Sequence, residues 1–318
     1  MLRYTLLRIL WLIPIVLVVS FIIYALMDLA PGTVVDSIIN EDMTQEEIDQ
    51  LITLYDLDKP MVYRYGKYMM GLLRGDLGNS QITGMPVWNL YMERFPKTLE
   101  LAVAGLILGV GIAIPLGIFA AKHAGTIWDN MTTVLSLFGL SMPGFWLGLL
   151  LLIWFSFRLK LFPAGYDGTL QSFILPAVTS GFAMMATTVR QTRSSMLEVM
   201  KQDYLRTARA KGVSELQVTT KHALRNAWIP VITTIGLTLS RMLAGSAIVE
   251  AVYSWPGVGR MMIEAITQRD VTLACGCVIL TCIMYVIMLL IVDLLYALVD
   301  PRIKSQYALV RKKRMVTE

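Results

Sequence analysis

The feature that most constrains this chain is a set of apolar runs too long for any soluble core. A helix that crosses the hydrocarbon of a bilayer needs about 20 mostly apolar residues. Six stretches approach or exceed that length: 9–30, 99–121, 132–157, 173–189, 228–252 and 271–299. Composition agrees, since 56% of the 318 residues are hydrophobic and only 16% are charged, where a soluble domain carries about a quarter. The expected fold class is therefore an all-α polytopic membrane protein of six transmembrane helices. The fourth run is short, carries Thr179, Ser180, Thr187 and Thr188 and contains Pro176. It suits the inside of a bundle better than a lipid-facing surface. The first run is longer than a signal-peptide core and lacks a small-x-small cleavage site, so it reads as an anchor.

Lysine and arginine in the short flanking segments set the orientation. Arg3 and Arg8 precede the first run and Lys122 follows the second. Eight basic residues lie from Arg190 to Arg225, and six more in the tail from Arg302 to Arg314. The opposite short loops hold Arg158, Lys160, Arg260 and Arg269, a balance of seventeen to four. Both termini are expected in the cytoplasm. The chain divides into an N-terminal tail with the first helix (1–30), an extracytoplasmic helical loop (31–98), helices two to six (99–299) and a basic cytoplasmic tail (300–318). In the outer loop, Thr44 with Glu47 makes a capping box ahead of Ile48, Leu51, Ile52 and Tyr55 at helical spacing. Pro60 and Gly75–Asn79 mark turns, and Pro86 is placed to open a short helix ending near Pro96. At nearly 70 residues this loop is expected to form a small cap over the outer mouth.

Polar and small residues interrupt the apolar runs at a few places. Gly105-xxx-Gly109 and Gly144-xxx-Gly148 permit close helix approach. Ser141-Met142-Pro143-Gly144 puts a break in the third run, either a relieved kink or a bend lining a path. Arg241 is the most unusual residue, a charge near the middle of the fifth run, where it costs at least a few kcal/mol unless solvated or paired. It must face a partner such as Asp293 or Glu250, a water-filled translocation path or a subunit interface. Cys275, Cys277 and Cys282 fall in one apolar run without metal or disulfide spacing, and His123 and His222 have no ligand partners nearby. No metal site and no nucleic-acid partner are expected.

Residues 190–228 differ in chemistry from their surroundings. Asp203 is placed to cap a helix over Tyr204-Leu205-Arg206-Thr207-Ala208-Arg209-Ala210, and Gly212 sits at its stop. Ser214 with Gln217 suggests a second capping box, opening a helix through about Asn226. Two short helices around a glycine corner make a protruding knuckle. Thr207, Ala208 and Ala210 allow a partner's backbone close, with the basic residues at the rim; a solvated basic loop or one touching anionic lipid has the same composition.

That knuckle, with Lys211-Gly212 and Lys221-His222-Ala223-Leu224-Arg225-Asn226-Ala227 and Pro230 after it, resembles the coupling loop of ABC-importer permeases. The resemblance is to the dipeptide, oligopeptide and nickel permease family, in its shorter B-type subunit. Other family-like motifs follow in order. They are Leu57-Asp58-Lys59-Pro60 with Gly75-Asp76-Leu77-Gly78, Pro96-Lys97-Thr98-Leu99-Glu100, Ser141-Met142-Pro143, Ile174-Leu175-Pro176, Glu250 with Trp255-Pro256-Gly257-Val258-Gly259, and Asp300-Pro301-Arg302. The broad permease pattern has Glu-Ala-Ala where this chain has Arg206-Thr207-Ala208. The resemblance implies a type I importer permease in the cell membrane, non-catalytic itself, working with a second homologous permease, two ATPase subunits and an extracytoplasmic solute-binding protein. Residues 203–210 and Gly212 would couple to the ATPase, and Pro143, Arg241, Glu250 and Asp293 would serve the path or its gate. Peptides are the expected cargo, with nickel, metal chelates or glutathione carried by the same architecture. The sequence has no GxxxxGK[ST], so ATP and Mg would be bound by partner chains and no cofactor by this one. The absence of HExxH and GxSxG argues against an intramembrane enzyme. A secondary transporter would be expected to show an internal repeat, and none is visible.

Overall fold

The computed structural model describes residues 2–39 and 43–299, with side chains for 10–39, 43–242 and 246–292. The motif Asp300-Pro301-Arg302, the basic tail and the side chain of Asp293 lie outside the described residues.

The first apolar run lies within α1 (Leu2–Leu29). Three short helices follow, α2 (Val34–Ile38), α3 (Gln45–Leu54) and α4 (Met61–Leu73). The capping box forms as expected. Thr44 Oγ1 accepts from the Glu47 backbone N–H at 3.4 Å, and a Glu47 oxygen accepts from the Thr44 N–H at 2.8 Å. The backbone N–H bond, then the hydroxyl, hold the Glu47 carboxyl below its ordinary range. α4 leans on α1, where Arg64 pairs with Asp28 and the Tyr65 hydroxyl donates to Leu17 O at 3.0 Å.

The second run belongs to a much longer element. α5 (Val87–Lys122) starts after Pro86 but continues through Pro96 and Pro115 for 36 residues, so the separate short helix expected at Pro96 does not exist. The third run is broken rather than merely kinked. α6 (Ile127–Ser141) and α7 (Gly144–Leu151), the latter prolonged by a π turn over Leu152–Arg158, meet at 99°. Pro143 cannot supply the N–H an unbroken helix would need there.

The fourth run proves the best buried. α8 (Leu170–Met200) has 31 residues, and 56% of its most apolar window is enclosed, against 17% for Leu10–Leu29. This explains its threonines, which sit among other helices. α8 also extends past Val189 to Met200, so the expected loop 190–228 begins inside a helix and its exposed corner is shorter. After it come α9 (Asp203–Ala210), α10 (Glu215–Gln217) running through a π turn (Val218–Ala223) into α11 (Leu224–Gly245), then α12 (Ala247–Val252), α13 (Val258–Thr267) and α14 (Val271–Val299). The fifth expected span is thus divided at Ser246. Among the described residues, four helices are long and apolar enough to cross a membrane, or five if the bent pair counts as one span. α11 falls outside that count, which takes in its residues only as far as Met242.

α5 and α8 form the most extensive helix pair. A Cβ on Gly109 would stand 2.8 Å from Gly181 O, and one on Gly181 2.8 Å from Gly105 O. The Gly105-xxx-Gly109 expectation therefore holds, with Gly181 as its partner across the crossing. Gly144 has nothing within 4 Å, so the second small-xxx-small pair makes no comparable approach.

Candidate functional site

Two constellations stand at opposite ends of α5. Ala121 belongs to one and Thr98 to the other, and 23 residues of helix put them roughly 35 Å apart.

The first is the knuckle. α9 spans Asp203–Ala210 with Gln202, not Asp203, at the N-cap. Asp203 occupies the first helical turn, where a carboxylate still favours the helix dipole. Gly212 takes φ +77, a left-handed conformation in which glycine has no steric penalty, and its N–H donates to Arg209 O at 2.9 Å. Arg209 Nε pairs with Glu215 Oε1 at 2.7 Å across the corner. Ser214 precedes α10, but its side chain makes no capping bond, and the helix runs on into α11 instead of stopping at Asn226.

The faces of α9 sort its residues. Leu205 is fully buried against Ala121, Met196, Val218, Ala223 and Ala227, with half-buried Ala208 packed on the same cluster. These two seat the knuckle on its own chain. Tyr204, Arg206, Thr207, Arg209 and Ala210 are exposed. The Tyr204 hydroxyl accepts from Asn226 Nδ2 at 2.6 Å, tying α9 to α11. Nearby, Arg193 of α8 holds Asp129 of α6 bidentately, with Nη2 to Oδ2 at 2.8 Å and Asp129 almost wholly buried. Sequence reading missed this pair because Arg193 was counted as a loop charge.

The second constellation surrounds Glu250. Its side chain is fully buried. Oε1 accepts from Thr98 Oγ1 at 2.8 Å and from Ser246 Oγ at 2.6 Å, and Oε2 from the Arg260 N–H at 3.0 Å. Thr98 Oγ1 in turn accepts from the Val258 N–H at 2.8 Å, and Trp255 Nε1 donates to Lys97 O at 2.9 Å. The carboxylate thus sits on the N-terminus of α13, where backbone donors and the helix dipole favour negative charge. Gly257 lies so close to it that a Cβ would collide with the carboxylate. The motifs Pro96–Glu100 and Glu250–Gly259, far apart in sequence, are two halves of one knot. Tyr253 adds α7 and α8 to it, with its hydroxyl 3.1 Å from Gly148 O and 2.8 Å from Thr179 Oγ1.

The remaining expected site residues do not join either group. Pro143 is exposed at the α6–α7 corner, on an apolar groove of about 400 Å³ with Phe138, Phe145 and Trp146. Arg241 is exposed on α11 and is not paired with Glu250, whose oxygens are engaged elsewhere.

The sequence matches the family described as "Binding-protein-dependent transport system inner membrane component" over residues 113–305, and that family's N-terminal component over 1–102. The chain belongs to this permease family. It is 38% identical to the dipeptide transport system permease protein DppB of Escherichia coli (strain K12), over 96% of this chain and 100% of that one. It is equally identical, 38% over the same shares, to the oligopeptide transport system permease protein AppB of Bacillus subtilis (strain 168). The fold of this permease is also similar to a chain of the MetNI methionine ABC transporter in an inward-facing form. There the TM-score is 0.56 at 18% identity, over 66% of this chain and 96% of that one.

Proposed function

We propose that this chain is one permease subunit of an ATP-driven importer of di- and oligopeptides in the cell membrane. The observation that carries the reading is near full-length similarity to permeases named for dipeptide and oligopeptide transport. In this reading a second, related permease completes the path, two ATPase subunits bind ATP and Mg, and a solute-binding protein delivers the peptide outside. The chain itself is non-catalytic. It crosses the membrane six times with both termini in the cytoplasm, α6–α7 forming the third span and α11–α12 the fifth. The basic imbalance of the short loops supports that orientation.

α9 would then sit in a cleft of an ATPase subunit. Its outward face of Arg206, Thr207, Arg209 and Ala210 makes the contact, while Leu205 and Ala208 fix it to α5, α8 and α11. Nucleotide-driven closure of the ATPase pair would move α9 as a rigid peg, and the Arg193–Asp129 pair would pass that motion to α6. Pro143, Arg241 and Asp293 would serve the path, and Glu250 would hold the outer end of the bundle together. Gly212→Pro removes both the N–H and the left-handed corner, and Ala210→Glu alters the exposed face alone. In proteoliposomes both variants should retain ATP hydrolysis while peptide uptake falls at least tenfold. Uptake at the wild-type rate by both would exclude α9 as the coupling element.

A further inference from the structure

α11 carries three threonines and one charge in its apolar stretch. Its hydroxyls are satisfied within the helix: Thr233 donates to Ile229 O at 2.9 Å, Thr234 to Pro230 O at 3.1 Å and Thr238 to Thr234 O at 2.7 Å. Arg241 remains as the only charged residue between Asn226 and Ser246.

The helix's contacts show which way that residue looks. Val231 and Ser240 are wholly buried, and Met242 reaches Gly105 of α5. Gly236 abuts Val292 of α14 so closely that a Cβ would overlap it. Position 241 is about 140° around the helix and about 7.5 Å along it from Gly236, turned away from the α14 contact and from the neighbourhood of position 293. On the open side, one turn before it, stands Leu237, 44% exposed. Glu250, the other candidate counter-ion, spends both oxygens on Thr98, Ser246 and the Arg260 N–H. A guanidinium at this depth, exposed and set on the far side of its helix from the α14 contact, must look into water or at an anion that arrives there.

We propose that Arg241 is a station in the translocation path that receives the free carboxylate of a passing peptide, an inference that rests on the peptide-importer reading. The planar guanidinium matches a carboxylate with two parallel hydrogen bonds. An importer of many peptide sequences can use only what all of them share: the backbone and the two charged ends. A single arginine in a hydrated path binds such an end long enough to orient it and weakly enough to release it. The rival occupant of this face is an acidic side chain of the second permease, which would make Arg241 an assembly residue.

The test uses the complete importer with its binding protein in proteoliposomes. Trialanine and its C-terminal amide are each supplied at a concentration shown by titration to saturate the binding protein. Wild type should move the free acid about tenfold faster than the amide, the scale of one charge-assisted contact. Arg241→Met should lower the free-acid rate to near the amide rate, with the half-saturating concentration and ATPase stimulation by loaded binding protein unchanged. Arg241→Lys should recover part of the rate. Charge reversal in Arg241→Glu should slow the free acid further than Arg241→Met, a comparison independent of the amide. Equal free-acid rates for Arg241→Glu and Arg241→Met, or equal slowing of acid and amide by Arg241→Met, would overturn the role. So would loss of the assembled complex in both Arg241→Met and Arg241→Lys, the mark of a pairing with the second permease. A wild-type importer that moves neither peptide would instead refute the peptide reading itself.

Discussion

At the scale of single residues, Glu250 shows how a membrane protein keeps a carboxylate where lipid or protein surrounds it. No cation among the described residues pairs with it; two hydroxyls and a backbone N–H do the work. Removing the acceptor strands those donors in a buried site. Glu250→Ala should therefore destabilise the purified protein by about 2–4 kcal/mol, read as a lowered melting temperature in detergent. Glu250→Gln keeps the shape and one acceptor oxygen and should lose less than half as much. Glu264→Ala breaks only the exposed pair with Arg260 and should stay within about 0.5 kcal/mol. Similar losses for Glu250→Ala and Glu264→Ala would mean the knot holds nothing. Glu250 was visible in the sequence as an acid inside an apolar run, yet its first partner, Thr98, lies 152 residues away, and no local pattern joins them. Leu205 and Ala208 taught a similar lesson. Spacing placed them on α9, but only packing revealed that they face their own chain.

At the scale of elements, the α5–α8 pair organises the bundle. Without a solvent-driven hydrophobic force between helices in lipid, close backbone contact supplies the attraction. Gly105, Gly109 and Gly181 make that contact possible. Gly181→Leu should separate the helices and cost about 1–3 kcal/mol or more, with a matching loss of folded protein extracted from membranes. Gly111→Leu, with nothing within 4 Å of its Cβ position, should be tolerated. Equal tolerance of both would show that the crossing is not tight. Apolar length placed most of the long helices well, because it is a local property. Where helices bend or break was less legible. Pro143 marked a break, but a 99° corner and an ordinary kink share the same dipeptide, and neighbouring α12 and α8 decide between them. Conversely, Pro96 looked like a stop and is passed without one.

At the scale of the molecule, the chain has a packed knuckle at one end of α5, a polar knot at the other, and an open α11 face between them. In the importer reading proposed above, these parts are a motor attachment and half a path, and the sequence has no P-loop to bind nucleotide. Gentle purification from its native membrane should therefore bring down a P-loop ATPase and a second permease. Uptake by this chain alone would favour a secondary carrier instead. By itself the sequence determined the membrane class, the knuckle helix with its glycine corner and the permease resemblance, because apolar length, capping and motif wording are short-range properties. Only the tertiary structure decided which small residues are crossing points, which acid closes the knot, and that α8 is core while Arg241 is not paired with Glu250. Those facts depend on contacts between residues scores to hundreds of positions apart. Such contacts are settled by helix packing and by the hydrogen bonds a buried group such as Glu250 requires, and no window along the chain can display them.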